Sequence, residues 1–340
     1  MSTSTQPTTF ADLYADLMSR ARVDANQTIN ATNAKKLINT ALFDMHLGNG
    51  ERFPWAERQG VLQTHAPYTT GTVSITRGSA TLTGSGTAWN TANSDGVNNA
   101  RIGGKIQLPG DDTVYEVAAA GGDTTITLAP NYIGDDLSAE TYTYFEDEYA
   151  LATDFLKPID KNRFDGRGTI EIIDRRVFRS RFTRISGTGS IVACAIFDKA
   201  FASSTTPVRR VRFYRPPGEV MYIPYSYVTA YLAVTAAGVA QAQLSSDTDE
   251  PIVPLYARHL IVLKALEHWY RDKKNDDRSE AVKAEYIDGI ARLLGDAEVG
   301  AQRPSIAPRI GGYVRRAREP YRGGRVRKHT IGTAFDEMLE

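Results

Sequence analysis

Residues 71–89 read GTVSITRGSATLTGSGTAW, a stretch rich in Gly and Thr in which apolar and polar side chains alternate. Alternation with a period of two is typical of a half-buried β-strand, and it predicts strands over 72–76 and 80–83. Similar short runs follow at residues 105–108, 114–117 and 125–128. We therefore predict a small all-β barrel or sandwich over residues 69–143.

The chain before this segment has the spacing of two amphipathic helices. Apolar side chains three and four positions apart lie on one face of a helix, so each set predicts a helix with a buried stripe. The two sets are Phe10, Leu13, Tyr14, Leu17 and Ala21, and then Ala34, Leu37, Ile38, Ala41, Leu42 and Met45. Thr32 precedes the second set, and we predict that its hydroxyl caps the second helix.

Two further helices are predicted near the other end of the chain. A strongly apolar helix is expected over residues 255–272. The stripe of the next helix consists of Val282, Tyr286, Ile290 and Leu294. It predicts a helix that ends near Gly295 and packs on the preceding one. Because helical patterns lie on both sides of the β segment, we interpret that segment as an insertion into a larger domain, with its two ends close together.

The middle of the chain has the pattern of an antiparallel sheet. Glu146 to Asp154 is predicted to be a short helix, and Phe155 to Ile159 an edge strand. β-Branched and aromatic residues favour strands, and they predict strands over residues 170–173, 177–185, 189–196, 208–214 and 220–233. The predicted fold is α+β: a helical bundle built from the N- and C-terminal helices with an antiparallel β middle, an inserted all-β domain and an extended C-terminal arm. The predicted domains are a core of residues 1–68 and 144–297, the insertion 69–143 and the arm 298–340.

The C-terminal arm concentrates positive charge in a chain with 40 basic and 40 acidic residues. Residues 301–340 carry nine Lys plus Arg and four Asp plus Glu, a net charge of +5, so the rest of the chain carries −5. The arm has too little apolar surface to offset its own ordering entropy, so we predict that it orders on a partner; a solvated tail is the alternative. Its predicted docking residues are Arg303, Arg309, Ile310, Tyr313, Arg315, Arg316, Arg318, Tyr321, Arg322, Arg325, Arg327 and Lys328.

No arrangement in the sequence predicts catalysis. The five histidines lack the spacing of a metal site, and no Gly-Lys-Ser/Thr run follows Gly84 and Gly86, which predict a tight hairpin instead. The acidic triplet at 146–148 is interpreted as the start of the short helix rather than as an acid–base pair. Cys194 is predicted to be a buried apolar group in a strand. We expect a protein that is not an enzyme, with no catalytic residue, metal or cofactor.

The N-terminal MSTSTQPTTF does not resemble a signal peptide, and no apolar run approaches the ~20 residues that span a bilayer. We therefore expect a protein that is made in the cytoplasm and has no membrane partner.

Arginines are dense between residues 163 and 184. In a strand over 177–185, Arg179 and Arg181 would share one face and the phenylalanines the other. Such a cationic face could approach phosphate groups, or it could pair with acidic surfaces of neighbouring subunits. Pairing between subunits is favoured, because no aromatic residues suited to stacking on bases are interleaved with the arginines. The candidate channel or subunit-interface arginines are Arg175, Arg176, Arg179, Arg181 and Arg184.

Several stretches of the chain resemble bacteriophage head-to-tail connector (adaptor or neck) proteins. They are TDEPIVP at 248–254, YARH at 256–259, LEHWY at 266–270, YALATDFLKP at 149–158, VRFYRPP at 211–217 and the Gly/Thr-rich run at 71–89. In that family a strand ends in an Asp-Glu-Pro turn and a helix pair follows. The resemblance implies a structural virion protein without catalysis, in a ring commonly of twelve subunits under the portal.

This resemblance gives the expected function and partners. The ring joins the capsid to the tail, lets double-stranded DNA pass without sequence recognition, and binds the portal and a downstream neck or tail protein. The expected location is the head–tail neck of a virion assembled in the bacterial host cytoplasm. One alternative is a tail-associated receptor or glycan-binding protein that uses the β insertion, with aromatic platforms from Trp89, Tyr115, Tyr132 and Tyr142. A second alternative is a nucleic-acid-binding protein that uses the basic arm.

Overall fold

The computed structural model describes residues 6–24, 27–49, 53–110, 112–165, 169–183, 187–200 and 207–295. In that part of the chain the protein is mixed α and β, with five α-helices and several antiparallel sheets. The α-helices are α1 (Phe10–Ala21), α2 (Thr28–Asn49), α3 (Arg175–Arg181), α4 (Arg258–Asp272) and α5 (276–295). Single turns of 3-10 helix occupy Pro54–Ala56 and Leu255–Ala257.

The strands are numbered in chain order. They are β1 (Glu57–Gln63), β2 (Thr72–Ile75), β3 (Thr81–Ser85), β4 (Lys105–Gln107), β5 (Val114–Gly122), β6 (Thr125–Ala129), β7 (Leu137–Glu140), β8 (Thr143–Phe145), β9 (Glu148–Ala150), β10 (Phe155–Pro158), β11 (Glu171–Ile172), β12 (Ala193–Lys199), β13 (Val208–Tyr214), β14 (Tyr222–Thr229), β15 (Ala233–Val234), β16 (Ala240–Gln241) and β17 (Glu250–Pro251). Contacts divide the chain into a helical unit, from the described residues of 1–48 and 245–340, and a β unit of residues 49–244. The predicted division into core, insertion and arm stays a prediction.

The helical unit begins with a capped helix. The amide of Asp12 donates to the hydroxyl of Thr9 over 3.3 Å, and the Asp12 carboxylate accepts from the amide of Thr9 over 3.1 Å. This reciprocal pair satisfies amides that the first turn of α1 would leave without partners. Leu13 and Leu17 are fully buried, which confirms the stripe expected for this helix.

The predicted cap of the second helix is wrong. Helix α2 begins at Thr28, so Thr32 lies inside it and donates its hydroxyl to the carbonyl of Thr28 over 2.9 Å. The helix begins more than one turn before its apolar stripe, since it starts at Thr28 and its first buried residue is Ala34. A Thr beside an apolar stripe therefore does not mark the start of this helix. The buried side chains of Ile38 and Met45 confirm the stripe itself.

Helix α4 contacts helices from both parts of the helical unit. His268 of α4 lies 3.0 Å from the carboxylate of Asp44 in α2. Helix α5 lies so close to α4 that a Cβ added at Gly289 would come within 2.4 Å of Leu260. This close approach confirms the prediction that the last helix packs on the one before it.

The largest sheet of the β unit is a curled half-barrel of seven strands, in the order β7-β2-β3-β6-β5-β4-β8. Its first and last segments meet: the amides of Tyr68 and Tyr144 each donate to the other's carbonyl over 2.9 Å. The chain therefore enters and leaves the half-barrel side by side. The five strands expected from the sequence between residues 72 and 128 are all present as β2 to β6.

The aromatic residues expected to form a glycan platform belong to the half-barrel core, so that prediction is wrong. Trp89 and Tyr115 are fully buried, and Tyr132 and Tyr142 are no more than 4% exposed. Trp89 donates its indole N–H to the hydroxyl of Tyr142 over 2.9 Å, and that hydroxyl donates to the carbonyl of Thr70. Buried Trp and Tyr side chains with satisfied polar atoms are core residues, which a sugar cannot reach.

The expected hairpin at Gly84 and Gly86 is also wrong. Gly84 lies within β3 opposite Val73, and the turn between β2 and β3 contains Gly78, whose φ is 83°. A Cβ at Gly84 would lie 2.8 Å from the Trp89 ring. Glycine is therefore needed here for close packing rather than for a turn.

Two smaller sheets complete most of the β unit, with the orders β1-β14-β10 and β11-β12-β13-β9, and β15 pairs with β16. Strand β10 is at an edge, as predicted. The short helix predicted from Glu146 to Asp154 is wrong, because Glu148 to Ala150 form strand β9 and pair with Arg210 to Arg212 of β13. Pairing with a distant strand overrides the local preference of these acidic residues.

Candidate functional site

Strands β12, β13 and β9 form a sheet with two different faces. Side chains alternate along a strand, so Cys194, Val211 and Phe213 lie on one face, where all three are buried. The free thiol of Cys194 is part of this apolar core, as predicted. The opposite face carries charged and aromatic side chains from the same strands, with Arg212 directly opposite Ala195. This second face is the floor of the candidate site.

Helix α3 lies over that floor and replaces the strand predicted over 177–185. Asp174 caps it by accepting a hydrogen bond from the amide of Arg176 over 2.8 Å. The rings of Phe178 and Phe182 meet edge to face, with centroids 5.3 Å apart. Residues four apart share a face both in a strand and, approximately, in a helix, so the two phenylalanines fit either prediction. The cap decides in favour of the helix.

The exposed surface of α3, here called the α3 arginine face, consists of Arg175, Arg176, Arg179 and Arg181, which are all exposed. Within the described ranges, none of these four guanidinium groups forms an ion pair with an Asp or Glu. Arg184, the fifth candidate of this group, lies outside the described residues, as do all the candidate docking residues from Arg303 to Lys328.

A pocket of about 200 Å³ lies between the α3 arginine face and the sheet. Its basic lining comes from Arg175 and Arg179 of α3, Lys199 of β12 and Arg212 of β13. Glu148 also lines the pocket, and Phe178, Ala195 and Phe197 supply its apolar surface. The guanidinium carbon of Arg175 lies 5.0 Å from the centroid of the Phe197 ring, which orients this arginine by a cation–π contact.

The carboxylates beside the pocket are already paired with cations. Lys105 Nζ lies 2.6 Å from the Asp147 carboxylate, and Arg212 Nε donates to Asp147 over 2.8 Å. Lys199 Nζ lies 2.9 Å from Glu148 and 3.0 Å from Glu116. These groups form an ion network where the half-barrel meets the β9–β13 sheet. Lys105, Asp147 and Glu148 are buried in it, and the other members are partly exposed. Helix capping, the sequence-based interpretation of residues 146–148, is therefore wrong.

Strand pairing explains why these charges meet. Phe145 of β8 pairs with Lys105 in the half-barrel, while Glu148 of β9 pairs with Arg212 in the neighbouring sheet. Glu146 and Asp147 form the short link between β8 and β9, and Glu148 begins β9, so the acidic triplet receives cations from both sheets. In the sequence, Lys105, Lys199 and Arg212 are far apart, and no spacing signal could have brought them together.

The network shifts the pKa values of Glu148 and Lys199. Burial raises the pKa of Glu148, but the positive charges of Lys105 and Lys199 outweigh burial and hold that pKa below its ordinary value of 4.5. Burial lowers the pKa of Lys199, and its partners Glu148 and Glu116 reverse the effect, so that the pKa is raised overall. Near neutral pH Glu148 is therefore an anion and Lys199 a cation.

The same described ranges contain neither a side-chain cluster that could bind a metal ion nor a helix that could span a membrane. These ranges hold no group of three or more His, Cys, Asp or Glu side chains placed to bind a metal ion. Among their helices, none combines the length and apolar character needed to cross a bilayer.

The chain matches no protein-family model, and it matches no curated protein. The chemistry of the site itself therefore indicates its function. Exposed arginines without carboxylate partners lie next to an ion network in which the carboxylates are paired with cations.

Proposed function

We propose that this chain is a structural subunit of a bacteriophage head-to-tail connector, which forms a ring under the portal and joins the capsid to the tail. The α3 arginine face is the observation that carries the proposal. Four exposed arginines without carboxylate partners among the described residues give this surface a positive potential that attracts anions. A ring that passes double-stranded DNA supplies such anions without sequence recognition.

The order of the units supports the same proposal. Helices from before and after the β unit in the chain form the helical unit, and we propose that α1, α2, α4 and α5 form one bundle that serves as the ring body. The Asp249-Glu250-Pro251 stretch, which is part of the family resemblance, contacts the start of helix α1. The amide of Phe10 in α1 donates to the carbonyl of Asp249 over 2.8 Å. Arg258, at the start of α4, forms a salt bridge of 2.9 Å with Glu250.

The remaining features of the proposal concern partners. A ring needs a heterologous contact between two unlike surfaces, and a basic arm on a chain whose other residues are net acidic supplies them. Residues 296–340 can span at most roughly 150 Å when extended, which is enough to reach a neighbouring subunit or the portal. The proposed partners are further copies of the chain, commonly twelve in the resembled family, the portal and a downstream neck or tail protein. The proposed location is the virion neck, and no catalysis is assigned.

Deletion of residues 301–340 tests the docking role. The truncated chain is expected to fold and to be missing from assembled particles, because the charged residues that dock are removed while both units stay intact. Protein composition of purified particles measures incorporation, and circular dichroism measures folding. Normal incorporation of the truncated chain would refute the docking role.

A charge-matched pair of variants separates docking from charge alone. Reversal of Arg315, Arg316 and Arg318 to Glu is expected to weaken incorporation strongly. The matched control reverses Arg58, Arg77 and Arg163, which are exposed cations of the β unit, and is expected to leave incorporation nearly unchanged. Equal losses in both variants would show that net charge, rather than the arm, controls assembly.

A further inference from the structure

We infer that the pocket between α3 and the sheet binds a phosphate group, held by Arg175 and Arg179 with Lys199 and Arg212 behind them. The inference concerns the ligand of this pocket in the proposed connector. It rests on the proposed function only where DNA is taken as the source of the phosphate group. Three features of the pocket support it: the charge balance, the geometry of the donors and the chemistry that distinguishes phosphate from carboxylate.

The charge balance leaves Arg175 and Arg179 without carboxylate partners among the described residues. The basic side chains in and directly beside the pocket are Lys105, Lys199, Arg175, Arg179, Arg210 and Arg212, and the acidic ones are Glu116, Asp147 and Glu148. The three carboxylates pair with the two lysines and Arg212. Arg210 donates to the backbone carbonyl of Glu148 over 2.8 Å. The other two surplus positive charges belong to Arg175 and Arg179, and an anion bound beside them would neutralise these charges.

The donors are placed to converge on one ligand. Arg175 and Arg179 are four residues apart in α3, so their guanidinium groups leave the same side of the helix. Both side chains are exposed, and solvent can therefore deliver the ligand. Lys199 and Arg212 line the pocket from the sheet side, where Glu148, Glu116 and Asp147 fix their positions. The pocket volume of about 200 Å³ exceeds what a single oxyanion requires.

Donors on opposite sides favour a phosphate over a carboxylate. A carboxylate is planar, and one guanidinium group satisfies it in a bidentate arrangement. A phosphate is tetrahedral, so its oxygens can accept from the helix and from the sheet at the same time. Arginine is also the side chain best suited to phosphate recognition, because its five donors form a rigid fork. Free phosphate and the phosphodiester backbone of DNA share this chemistry.

The test uses the full chain, inorganic phosphate, and a short DNA duplex of mixed sequence. Calorimetric titration with phosphate compares the wild type with the R175A/R179A double variant. The matched control is R77A/R163A, which removes two exposed cations elsewhere in the β unit. Loss of charged hydrogen bonds is expected to weaken phosphate binding by at least about tenfold in R175A/R179A, and the control is expected to stay within about twofold. A R175K/R179K variant is expected to recover part of the affinity, because it keeps the charge without the fork.

The DNA titration identifies the source of the phosphate. Each basic side chain that neutralises a DNA phosphate contributes about one to the slope of log affinity against log salt. R175A/R179A is therefore expected to reduce this slope by about two if DNA is the source. An unchanged slope together with weakened phosphate binding assigns the pocket to free phosphate. Either result supports the site.

Two results would overturn it. One is equal phosphate affinity in the wild type and R175A/R179A. The other is tighter binding of a poly-glutamate peptide than of phosphate or DNA, abolished in R175A/R179A, which would make the pocket a docking site for acidic protein segments. Normal incorporation of R175A/R179A into particles would leave the connector function intact even if phosphate binding fails, so the two proposals fail separately.

Discussion

Lys105 Nζ lies 2.6 Å from the carboxylate of Asp147, and both side chains are more than nine-tenths buried. The lysine belongs to strand β4 of the half-barrel, and the aspartate belongs to the link that leads into strand β9 of the neighbouring sheet. This ion pair therefore ties the half-barrel to the neighbouring sheet of the β unit, directly beside the pocket under α3.

The first prediction concerns this pair. Substitution of Lys105→Met leaves Asp147 and Glu148 buried with one cation fewer, and breaking a buried pair in this way costs about 3–5 kcal/mol. Chemical denaturation followed by tryptophan fluorescence measures the loss, since Trp89 lies in the half-barrel core. The exposed control Arg77→Ala is expected to change the free energy of unfolding by no more than about 0.5 kcal/mol. Similar values for both variants would show that the ion network does not stabilise the β unit.

The second prediction concerns pH. The pKa of folded Glu148 is below its ordinary value of 4.5, so its ionised form stabilises the fold above pH 4.5, and that stabilisation is lost as the pH falls through the lowered pKa. The pKa of folded Lys199 is above its ordinary 10.5, so its contribution is complete below pH 10.5 and is lost as the pH rises through the raised pKa. We expect Glu148→Gln to reduce the dependence of unfolding free energy on pH below 4.5.

Denaturation curves of this variant at several acidic pH values check the expectation. The exposed Glu57→Gln serves as the control, and it is expected to keep the wild-type pH dependence. The same acid slope in Glu148→Gln and in the wild type would contradict the assignment of acid sensitivity to Glu148.

The third prediction concerns a glycine at the same junction. A Cβ at Gly104 would lie 2.1 Å from the hydroxyl oxygen of Tyr144, whose hydroxyl donates to Glu146 over 2.6 Å. Gly104→Ala is therefore expected to force the tyrosine aside and to destabilise the β unit by about 1–3 kcal/mol. Gly121 has no atom within 4 Å of an added Cβ, and Gly121→Ala is expected to be close to neutral. Thermal unfolding of the two variants compares them, and equal melting temperatures would contradict the packing argument.

Patterns within one element made much of the fold predictable from the sequence. Alternating residues indicated the strands of the half-barrel, and stripes such as Leu13 and Leu17 indicated the helices that form. Strand β13 spans Val208 to Tyr214, the range expected from its β-branched and aromatic residues. In each of these cases the local pattern and the tertiary environment favour the same structure.

The candidate site was less predictable, because it depends on pairing between distant strands. The arginines at 175 to 181 were recognised as a cationic face, but their phenylalanines fit a strand as well as a helix. The acidic residues at 146–148 are typical of the first turn of a helix. In the structure, Glu148 pairs with Arg212 in the sheet, and the acidic residues lie beside cations of two sheets. Single-sequence patterns carry no information about such long-range pairing, and so the pocket itself could not be foreseen.

Electron cryomicroscopy of particles assembled from the genome that encodes this chain tests the central claim most directly. A gold label attached to the chain locates it, and the same images count its copies. The connector proposal predicts a ring of labelled subunits between portal and tail, with DNA passing through its centre. Label at the tail tip, or particles that lack the chain altogether, would contradict it.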